Sequence, residues 1–334
     1  MIYWELLIFM VFSITSLFIL LCVSPEGTGF LSKVSRFLLY TVPDVGYSLV
    51  LKVFGERLTN GVQKAVHYVI AEPNPIFQFV YLLLSIGGYV VYVFYGFPYI
   101  PNPYVHPVHM YFGSFVYFTA LVTFILASIN PPGAVTKKNL AKEIEYFKYD
   151  SVMYAPADCS TCKIQKPARS KHCNICGYCV LKQDHHCIWI NQCVGYANYK
   201  YFLAFILSHS LICLYAGLIG FKIFKFIINK DRLWAAVFKD STGKTLTLNY
   251  LTLFQYLLHR YSAFTFVIVL CIVVGFTLLC FFIYHFNLIR KNITSNERIK
   301  AGKLMEKGLN VNENFYNAGL LSNLSEVIEA EESI

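Results

Sequence analysis

Long apolar runs alternate with polar segments along this chain, and the alternation predicts its main elements. Five runs are long enough to cross a bilayer, and they are Leu6–Val23, Ile76–Phe97, Met110–Ile129, Tyr201–Phe221 and Ala263–Phe286. One such run could be a buried helix of a soluble protein, but five of them indicate transmembrane helices. We therefore predict an all-α polytopic membrane protein with about five transmembrane helices.

The composition supports this fold class. Of the 334 residues, 56% are hydrophobic and only 14% are charged, whereas roughly 25% of the residues in a soluble domain are charged. No positive residue precedes the first run, Leu6–Val23, and the sequence CVSPEG at its end is a poor cleavage site. We therefore interpret this run as a retained membrane anchor and not as a signal peptide.

The lysines and arginines between the runs predict the orientation, because positive residues concentrate on the cytosolic side of a membrane. Segments 24–75, 130–200 and 287–334 contain 21 of the 28 lysines and arginines. Placing these segments in the cytosol gives a lumenal N-terminus and a cytosolic C-terminus. The loop 222–262 is the exception, since it carries seven positive residues although it is predicted to be lumenal.

These assignments divide the chain into six predicted regions. They are an N-terminal anchor span (1–24), a cytosolic loop (25–75), a transmembrane hairpin (76–129), a cytosolic cysteine-rich domain (130–200), a second transmembrane hairpin with a lumenal loop (201–286) and a cytosolic tail (287–334). The cysteine-rich domain contains seven of the eleven cysteines. In a reducing compartment, such a cluster is more often metal-binding or catalytic than disulfide-bonded.

The cysteine-rich domain has the spacing of a metal-binding module. Residues 159–193 follow the pattern C-x2-C-x9-HC-x2-C-x2-C-x4-DHHC-x5-C. Two-residue gaps between cysteines let both thiolates bind one ion, and tetrahedral zinc is the usual ion in Cys/His sets. The segment offers seven cysteines and three histidines, whereas two tetrahedral sites use about eight ligands. If one Cys and one His remain, they supply the thiol and the base of nucleophilic catalysis.

The ligand count does not identify the spare residues, and alternation along the chain helps only in part. Alternate side chains of an extended stretch share a face. His185 and Cys187 would therefore face one way, whereas Asp184 and His186 would face the other. Alternation thus separates Asp184 from His185, although a carboxylate normally orients a catalytic imidazole. A turn at this point would remove the conflict.

Two functions from other classes compete with catalysis. In a non-catalytic zinc-binding membrane adaptor, all ten cysteines and histidines of the segment would be ligands or packing residues. A zinc transporter would carry ionisable residues inside its spans. The apolar runs contain only His209 and His285 as such residues, which disfavours the transporter.

The same residues resemble the signature of the DHHC-type protein S-acyltransferases, or palmitoyltransferases. The matching positions are Cys159, Cys162, His172, Cys173, Cys176, Cys179, Asp184, His185, His186, Cys187 and Cys193. The predicted layout, with an extra N-terminal span and a short tail, is similar to that of the endoplasmic-reticulum members of the family.

Three weaker family motifs flank this signature. TSNE (294–297) resembles the TTxE motif and includes Thr294 and Glu297, with Ser295 in place of the second Thr. PPG (131–133) stands where the family has DPG. FYNAGLLSN (315–323) resembles the C-terminal motif, and its matching residues are Tyr316, Asn317 and Asn323.

The resemblance implies a role for each group of residues. One structural zinc ion would bind Cys159, Cys162, His172 and Cys179, and a second would bind Cys173, Cys176, His186 and Cys193. Cys187 would be the nucleophile, His185 the general base and Asp184 the residue that orients it. Lys166, Arg169 and Lys171 would contact the phosphates of palmitoyl-CoA, with Trp189 close to the acyl group at the membrane interface.

The implied function is protein S-palmitoyltransferase. Palmitate would pass from palmitoyl-CoA, the co-substrate, to Cys187 as a thioester, and then to juxtamembrane cysteines of membrane-anchored proteins. The expected location is the endoplasmic-reticulum membrane, with the active site in the cytosol and the N-terminus in the lumen. No nucleic-acid partner is expected.

Overall fold

The computed structural model describes residues 30–239, 243, 245–246, 248–309 and 314–330. The predicted anchor span Leu6–Val23 lies outside the described residues. Within them the α-helices are α1 (Phe30–Arg36), α2 (Val42–Ala71), α3 (Ile76–Tyr95), α4 (Val108–Ile129), α5 (Leu140–Tyr146), α6 (Tyr199–Lys230), α7 (Tyr250–Arg260), α8 (Ser262–Arg290), α9 (Ser295–Glu306) and α10 (Leu320–Glu329).

Four of the described helices are long and apolar enough to cross a membrane. They are α3 with its continuation to Tyr99, α4, α6 and α8, and they coincide with the last four predicted runs. The 32 residues of α6 extend over about 48 Å at 1.5 Å per residue. That length exceeds the roughly 30 Å of the hydrocarbon layer. The mostly helical membrane fold is confirmed, with four candidate spans in the described part of the chain.

The predicted loop 25–75 is helical over residues 30–71, and the short segment 72–75 that follows is not helical. A π-helical turn, Phe37–Thr41, connects α1 to α2. Inside α2, Gly55 has a φ of 73° and a ψ of 174° and so interrupts the helical path. Glycine adopts this conformation readily because it has no Cβ. Charged residues such as Lys52 and Arg57 interrupt the apolar positions of this segment, so it contains no spanning run.

Short antiparallel strands form the core of the cysteine-rich domain. They are β1 (Ala134–Val135), β2 (Lys171–Cys173), β3 (Tyr178–Val180), β4 (His185–Cys187) and β5 (Gln192–Val194), whereas β6 (Phe238–Lys239) and β7 (Thr245–Leu246) pair between α6 and α7. β1, β3 and β2 form one sheet in that order, and β4 pairs with β5. The register places His172 opposite Cys179 and His186 opposite Cys193.

The described residues form two compact units, each with its own core. The first unit takes the described residues up to Val66 together with Ser85–Phe115 and Ser210–Thr277. Its apolar core includes Ile223 and Phe264, which are almost fully buried. Here α6 and α8 pack through glycines, because small residues let helix backbones approach closely in a membrane.

The second unit contains the cysteine-rich domain and the tail. It comprises His67–Leu84, Val116–His209 and the described residues from Leu278 onward. One of its cores surrounds Cys187 with buried Phe124, Ile190, Val194 and Phe202. Cys187 therefore lies among apolar side chains contributed by the ends of the spans.

Gly220 is required for the contact between α6 and α8, and this makes a first prediction. A Cβ at Gly220 would lie 2.0 Å from Cδ1 of Ile268, whereas a Cβ at Gly88 would meet nothing within 4 Å. We expect Gly220→Val to lower stability by about 1–3 kcal/mol, as overpacking does. Thermal unfolding in detergent measures the change, with Gly88→Val as the matched control. Equal unfolding temperatures for the two variants would contradict this packing.

Candidate active site and metal centres

The first Cys/His cluster joins a loop to the β2–β3 hairpin. Cys159 and Cys162 lie in the loop, where the backbone N–H of Cys162 donates to Sγ of Cys159 at 3.4 Å. His172 and Cys179 face each other across the hairpin. The four ligand atoms all lie within 4.8 Å of one another.

The second cluster repeats this arrangement with the β4–β5 hairpin. Cys173 and Cys176 turn towards each other, with the N–H of Cys176 donating to Sγ of Cys173 at 3.4 Å. His186 and Cys193 are the paired residues of β4 and β5. These four ligand atoms also lie within 4.8 Å of one another. The two clusters contain the same two sets of four residues that the family resemblance implies.

The spacing of the ligand atoms fits a tetrahedral metal ion. Metal–sulfur and metal–nitrogen bonds of 2.3 and 2.0–2.1 Å give tetrahedral edges of about 3.8 Å between sulfurs and about 3.6 Å between sulfur and nitrogen. In the first cluster, Sγ of Cys162 lies 3.8 Å from Sγ of Cys179 and 3.3 Å from Nδ1 of His172. In the second, Sγ of Cys193 lies 3.6 Å from Sγ of Cys176 and 3.8 Å from Nδ1 of His186. Both clusters can hold a metal ion.

Asp184, His185 and Cys187 form an electrostatically linked series. Oδ2 of Asp184 accepts a hydrogen bond from Nδ1 of His185 at 2.7 Å, and the imidazole of His185 interacts in turn with the thiol of Cys187. His185 and Cys187 are the two ends of β4, so they share a face as alternation predicts. Asp184 precedes β4, and strand alternation therefore does not apply to its side chain.

The electrostatics of this series favour a charged pair. Burial raises the pKa of the Asp184 carboxyl, but the hydrogen bond and charge of His185 hold it at about 2. Burial lowers the pKa of the His185 imidazole, but the hydrogen bonds to Asp184 and Cys187 raise it to about 10. Burial raises the pKa of the Cys187 thiol, whereas the hydrogen bond and charge of His185 bring it below its usual value. Thiolate is the reactive form of cysteine.

The other carboxylate oxygen of Asp184 binds the start of α9. Its Oδ1 accepts from the backbone N–H of Ser295 at 2.7 Å. Thr294 caps α9 by accepting from the N–H of Glu297 at 3.1 Å, and Glu297 accepts from the N–H of Thr294 at 2.9 Å. This reciprocal capping satisfies two backbone donors and directs the next N–H at Asp184. Because Ser295 acts through its backbone, serine can replace the second Thr of the TTxE motif here.

Arg169 is buried against Glu297 and does not face solvent. Its Nε and Nη2 donate to the two carboxylate oxygens of Glu297, both at 2.7 Å. Its Nη1 donates to Oδ1 of Asn292 at 3.0 Å. The guanidinium also lies over the rings of Phe147 and Tyr316, at 5.1 and 4.5 Å from their centroids. With 1% of its surface exposed, Arg169 is suited to a structural role and not to the predicted phosphate contact.

The other residues predicted to bind acyl-CoA lie in different surroundings. Lys171 is exposed, and its Nζ donates to Oδ1 of Asn296 at 2.7 Å. Lys166 is partly exposed. Trp189 is partly buried beside the apolar cluster of Cys187, with its ring edge-on to Phe77 at 5.4 Å. Their roles in acyl-CoA binding stay predictions.

The residues of the C-terminal motif hold the tail against the cysteine-rich domain and the end of α8. The hydroxyl of Tyr316 donates to the carbonyl of Lys148 at 2.9 Å. Asn323 is 1% exposed. Its amide donates to the carbonyl of Arg290 at 3.1 Å and to Oδ1 of Asn317 at 2.9 Å.

PPG forms a tight contact with the chain just after the second cluster. Gly133 has a φ of 89°, which only glycine adopts without strain. Its carbonyl accepts from the N–H of Leu181 at 2.9 Å. A Cβ at Gly195 would lie 2.4 Å from the carbonyl oxygen of Pro132. The described contacts use the backbone of Pro132 and Gly133, and they do not depend on an acidic residue at position 131.

Part of this chain matches a known protein family. Residues 152–302 match the family model described as DHHC palmitoyltransferase, and this range includes both clusters, the Asp184–Cys187 stretch and the TSNE motif. Residues 152–302 therefore form a DHHC palmitoyltransferase domain. The resemblance seen in the sequence is therefore confirmed.

Several curated members of the DHHC family are similar to this chain. It is 34% identical to Palmitoyltransferase swf1 of Schizosaccharomyces pombe over 184 residues, which are 53% of this chain and 49% of that protein. It is 25% identical to Palmitoyltransferase ZDHHC4 of Bos taurus over 293 residues, covering 86% of this chain and 81% of that protein. For Palmitoyltransferase ZDHHC4 of Mus musculus, the identity is 29% over 77% of this chain and 75% of that protein.

Sequence reasoning missed several residues that support the site in this DHHC protein. Nζ of Lys182 donates to Glu326 at 2.6 Å and to Asn292 at 2.8 Å. Burial, followed by the charge of Arg169, lowers the pKa of Lys182 to about 8. Lys182 and Glu326 are 144 positions apart, so no local spacing could reveal their pairing. His285 was visible as an ionisable residue in an apolar run, but its position beside His185 was not.

The two clusters predict the metal content of the protein. We expect two metal ions per chain, and at most one in Cys159→Ser or Cys176→Ser, because a tetrahedral site needs all four ligands. Elemental analysis of the purified protein measures the content, and Cys280→Ser, in α8, is the matched control that should keep both ions. Two ions in either cluster variant would contradict the assignment.

The Arg169–Glu297 pair predicts a large effect on stability. Arg169→Met leaves the buried Glu297 carboxylate unpaired, and we expect a loss of about 3–5 kcal/mol. Thermal unfolding in detergent measures this loss, and protease cleavage beyond Arg290 reports release of the tail. Lys171→Met, which removes a nearby exposed lysine, is the control. If the two variants unfold at the same temperature, the buried pair does not hold the tail.

Proposed function

We propose that this chain is a protein S-palmitoyltransferase that works in two steps. Palmitate passes first from palmitoyl-CoA to Sγ of Cys187 and then to a cysteine thiol of a membrane-anchored protein. The observation that carries the proposal is the Asp184–His185–Cys187 series, in which a buried carboxylate holds an imidazole against a thiol. The match of residues 152–302 to the DHHC palmitoyltransferase family model supports the same chemistry.

The first step exchanges one thioester for another. His185 takes the proton of the Cys187 thiol, and the sulfur attacks the carbonyl carbon of palmitoyl-CoA. The bond from that carbon to the sulfur of coenzyme A then breaks, and the departing thiolate takes the proton from His185. Asp184 keeps the imidazole oriented and stabilises its positive charge. In the second step His185 takes the proton of the substrate thiol, and the substrate sulfur attacks the carbonyl carbon of the Cys187 thioester. The bond from that carbon to Sγ of Cys187 then breaks, and the Cys187 thiolate takes the proton back from His185.

Zinc is the metal that we propose for both clusters. Three thiolates and one imidazole nitrogen in a tetrahedral set are a typical zinc donor set. Zinc would brace the domain structurally, because four protein ligands leave no position for a substrate. His186 is a proposed ligand between His185 and Cys187, so the metal site would also fix the position of both catalytic side chains.

The surroundings of Cys187 suit a lipid substrate. Cys187 packs among Phe124, Phe202 and other apolar residues at the ends of α4 and α6. A palmitoyl chain gains about 0.8 kcal/mol for each CH₂ that it buries, so it would enter this apolar region between the spans. The phosphates of coenzyme A would stay in water, where Lys166 and Lys171 are accessible.

The location and the substrates of the enzyme complete the proposal. We propose the endoplasmic-reticulum membrane, with the active site in the cytosol, on the basis of the family resemblance and the positive-residue asymmetry. A nucleophile held beside the ends of the spans would acylate cysteines close to the membrane. Proteins with juxtamembrane cysteines are therefore the proposed substrates.

Substitution of the nucleophile tests the proposal directly. Cys187→Ser should lose incorporation of an alkyne-tagged palmitoyl-CoA probe completely, whereas Cys213→Ser, in α6, should keep it. The purified protein and a fluorescent gel measure the incorporation. Acyl-exchange proteomics on cells with the active and the Cys187→Ser enzyme would then identify the substrates. Probe uptake that persists in Cys187→Ser would favour the non-catalytic adaptor.

The role of Asp184 makes a separate prediction. Asp184→Asn removes the charge that stabilises protonated His185, and we expect the autoacylation rate to fall about 10²–10⁴-fold, the range of general acid–base catalysis. Asp158→Asn, at an exposed position of the same domain, is the matched control. A rate equal to that of this control would show that Asp184 does not assist His185.

A further inference from the structure

His285 is a fully buried histidine beside the proposed catalytic residues. It lies near the end of α8 and has 0% of its surface exposed. Its Nδ1 lies 2.8 Å from the hydroxyl of Tyr199. Its Nε2 is buried and has no hydrogen-bond partner among the residues that the structure describes. A buried polar atom without a partner is costly, and its persistence calls for a functional explanation.

The hydrogen bond with Tyr199 determines which nitrogen of His285 carries the proton. The hydroxyl of Tyr199 has Nδ1 as its hydrogen-bond partner in the described structure. If the hydroxyl donates, its proton is satisfied, and the neutral imidazole carries its own proton on Nε2. We infer this tautomer, with an N–H donor at Nε2, because the opposite one would leave the hydroxyl proton of Tyr199 without an acceptor among the described residues.

This donor lies next to the site where the acyl group must arrive. The ring centroid of His285 is 6.1 Å from that of His185, and Phe202 packs against both rings, at 5.1 and 5.3 Å. Phe202 and Cys187 belong to the same apolar cluster. Cys187 is itself only 8% exposed. An acyl group that reaches Cys187 therefore enters an apolar cluster that includes Phe202, the ring that also packs against His285.

We propose that the Nε2–H of His285 binds the carbonyl oxygen of the acyl thioester and stabilises the oxyanion that forms there. This inference rests on the proposed function. When the sulfur of Cys187 bonds to the carbonyl carbon, the carbonyl electron pair moves to oxygen. It returns to re-form the carbonyl when the bond to the leaving sulfur breaks. His285 donates a hydrogen bond throughout and transfers no proton.

The environment of His285 suits this role. Phe202 and Phe281 surround its ring, the latter with a centroid separation of 4.5 Å, and hydrogen bonds to a developing charge are strongest where water is excluded. Tyr199 fixes the ring before the substrate arrives, so no reorientation is needed during the reaction. His185 is engaged elsewhere, because its Nδ1 is bound to Asp184 and its imidazole is the proposed base for Cys187.

Two amide substitutions distinguish the roles of Nδ1 and Nε2 of His285. The side-chain amide of His285→Asn can replace Nδ1, and that of His285→Gln can replace Nε2. For His285→Asn we expect the rate of autoacylation from palmitoyl-CoA to fall about 10²–10³-fold, the loss found when an oxyanion donor is removed. His285→Gln should be at least tenfold faster than His285→Asn, since it restores the donor. His209→Asn, which removes a half-buried imidazole from α6, is the control and should lose less than tenfold.

A second readout distinguishes an oxyanion donor from a structural residue. Iodoacetamide alkylates a thiolate in a displacement that forms no oxyanion, so its rate reports the reactivity of Cys187 alone. We expect iodoacetamide to alkylate Cys187 of the His285→Asn variant at the wild-type rate. Mass spectrometry of the peptide that contains Cys187 measures this rate. A parallel loss of alkylation and acylation would overturn the proposal, because His285 would then act only through the fold or the thiolate. Normal acylation in His285→Asn would overturn it as well.

The failure of this inference is distinguishable from that of the proposed function. Wild-type protein that takes up no palmitate on Cys187 would refute the function itself. If the wild-type protein acylates Cys187 and both His285 variants do so at the wild-type rate, only the role of His285 is refuted. If the His285→Asn variant does not accumulate, the His285→Gln variant still tests the proposal. A His285→Gln variant with normal alkylation of Cys187 but acylation reduced a hundredfold would show that a donor at Nε2 does not suffice.

Discussion

The two Cys/His clusters, each able to hold a metal ion, are the constraint on which the cysteine-rich domain depends. Its strands are only two or three residues long, and strands of that length do not bury enough apolar surface to be stable alone. In such a domain the binding free energy of a structural metal becomes folding free energy. The β4–β5 hairpin shows the consequence for the active site. His186 pairs with Cys193, so His185 and Cys187 are fixed on either side of a ligand.

The second constraint is the attachment of the tail, because the carboxylate of Asp184 makes hydrogen bonds to both His185 and the tail. One oxygen of Asp184 orients His185, and the other binds the backbone at Ser295. Glu297 caps that same turn and neutralises the buried Arg169. Removing one partner of this arrangement would leave a buried charge unpaired, which costs more than the pair itself contributes. The orientation of the catalytic imidazole and the attachment of α9 are thus parts of one network.

The sequence was informative wherever the chemistry is local. Apolar length predicted four spans that the structure describes, and cysteine spacing with the family resemblance predicted both clusters. Strand alternation correctly grouped His185 with Cys187, but it misplaced Asp184, because the strand begins one residue later. Arg169 was assigned to phosphate binding because the family resemblance implied that role for the basic residues of the cysteine-rich segment. Its carboxylate partner lies 128 positions away, and such contacts leave no periodic signal. The surroundings of His285 were hidden for the same reason.

The distances along the chain between these partners also affect the order in which the enzyme is completed. A ribosome makes Cys187 well before it makes Ser295, 111 positions after Asp184. Until α8 has entered the membrane and α9 has formed, Asp184 lacks one of its two hydrogen-bonded partners and His285 is absent from the site. The proposed nucleophile of a nascent chain is therefore left without its full support until synthesis has passed Ser295. A translation product truncated before that point would carry the DHHC residues without a completed site.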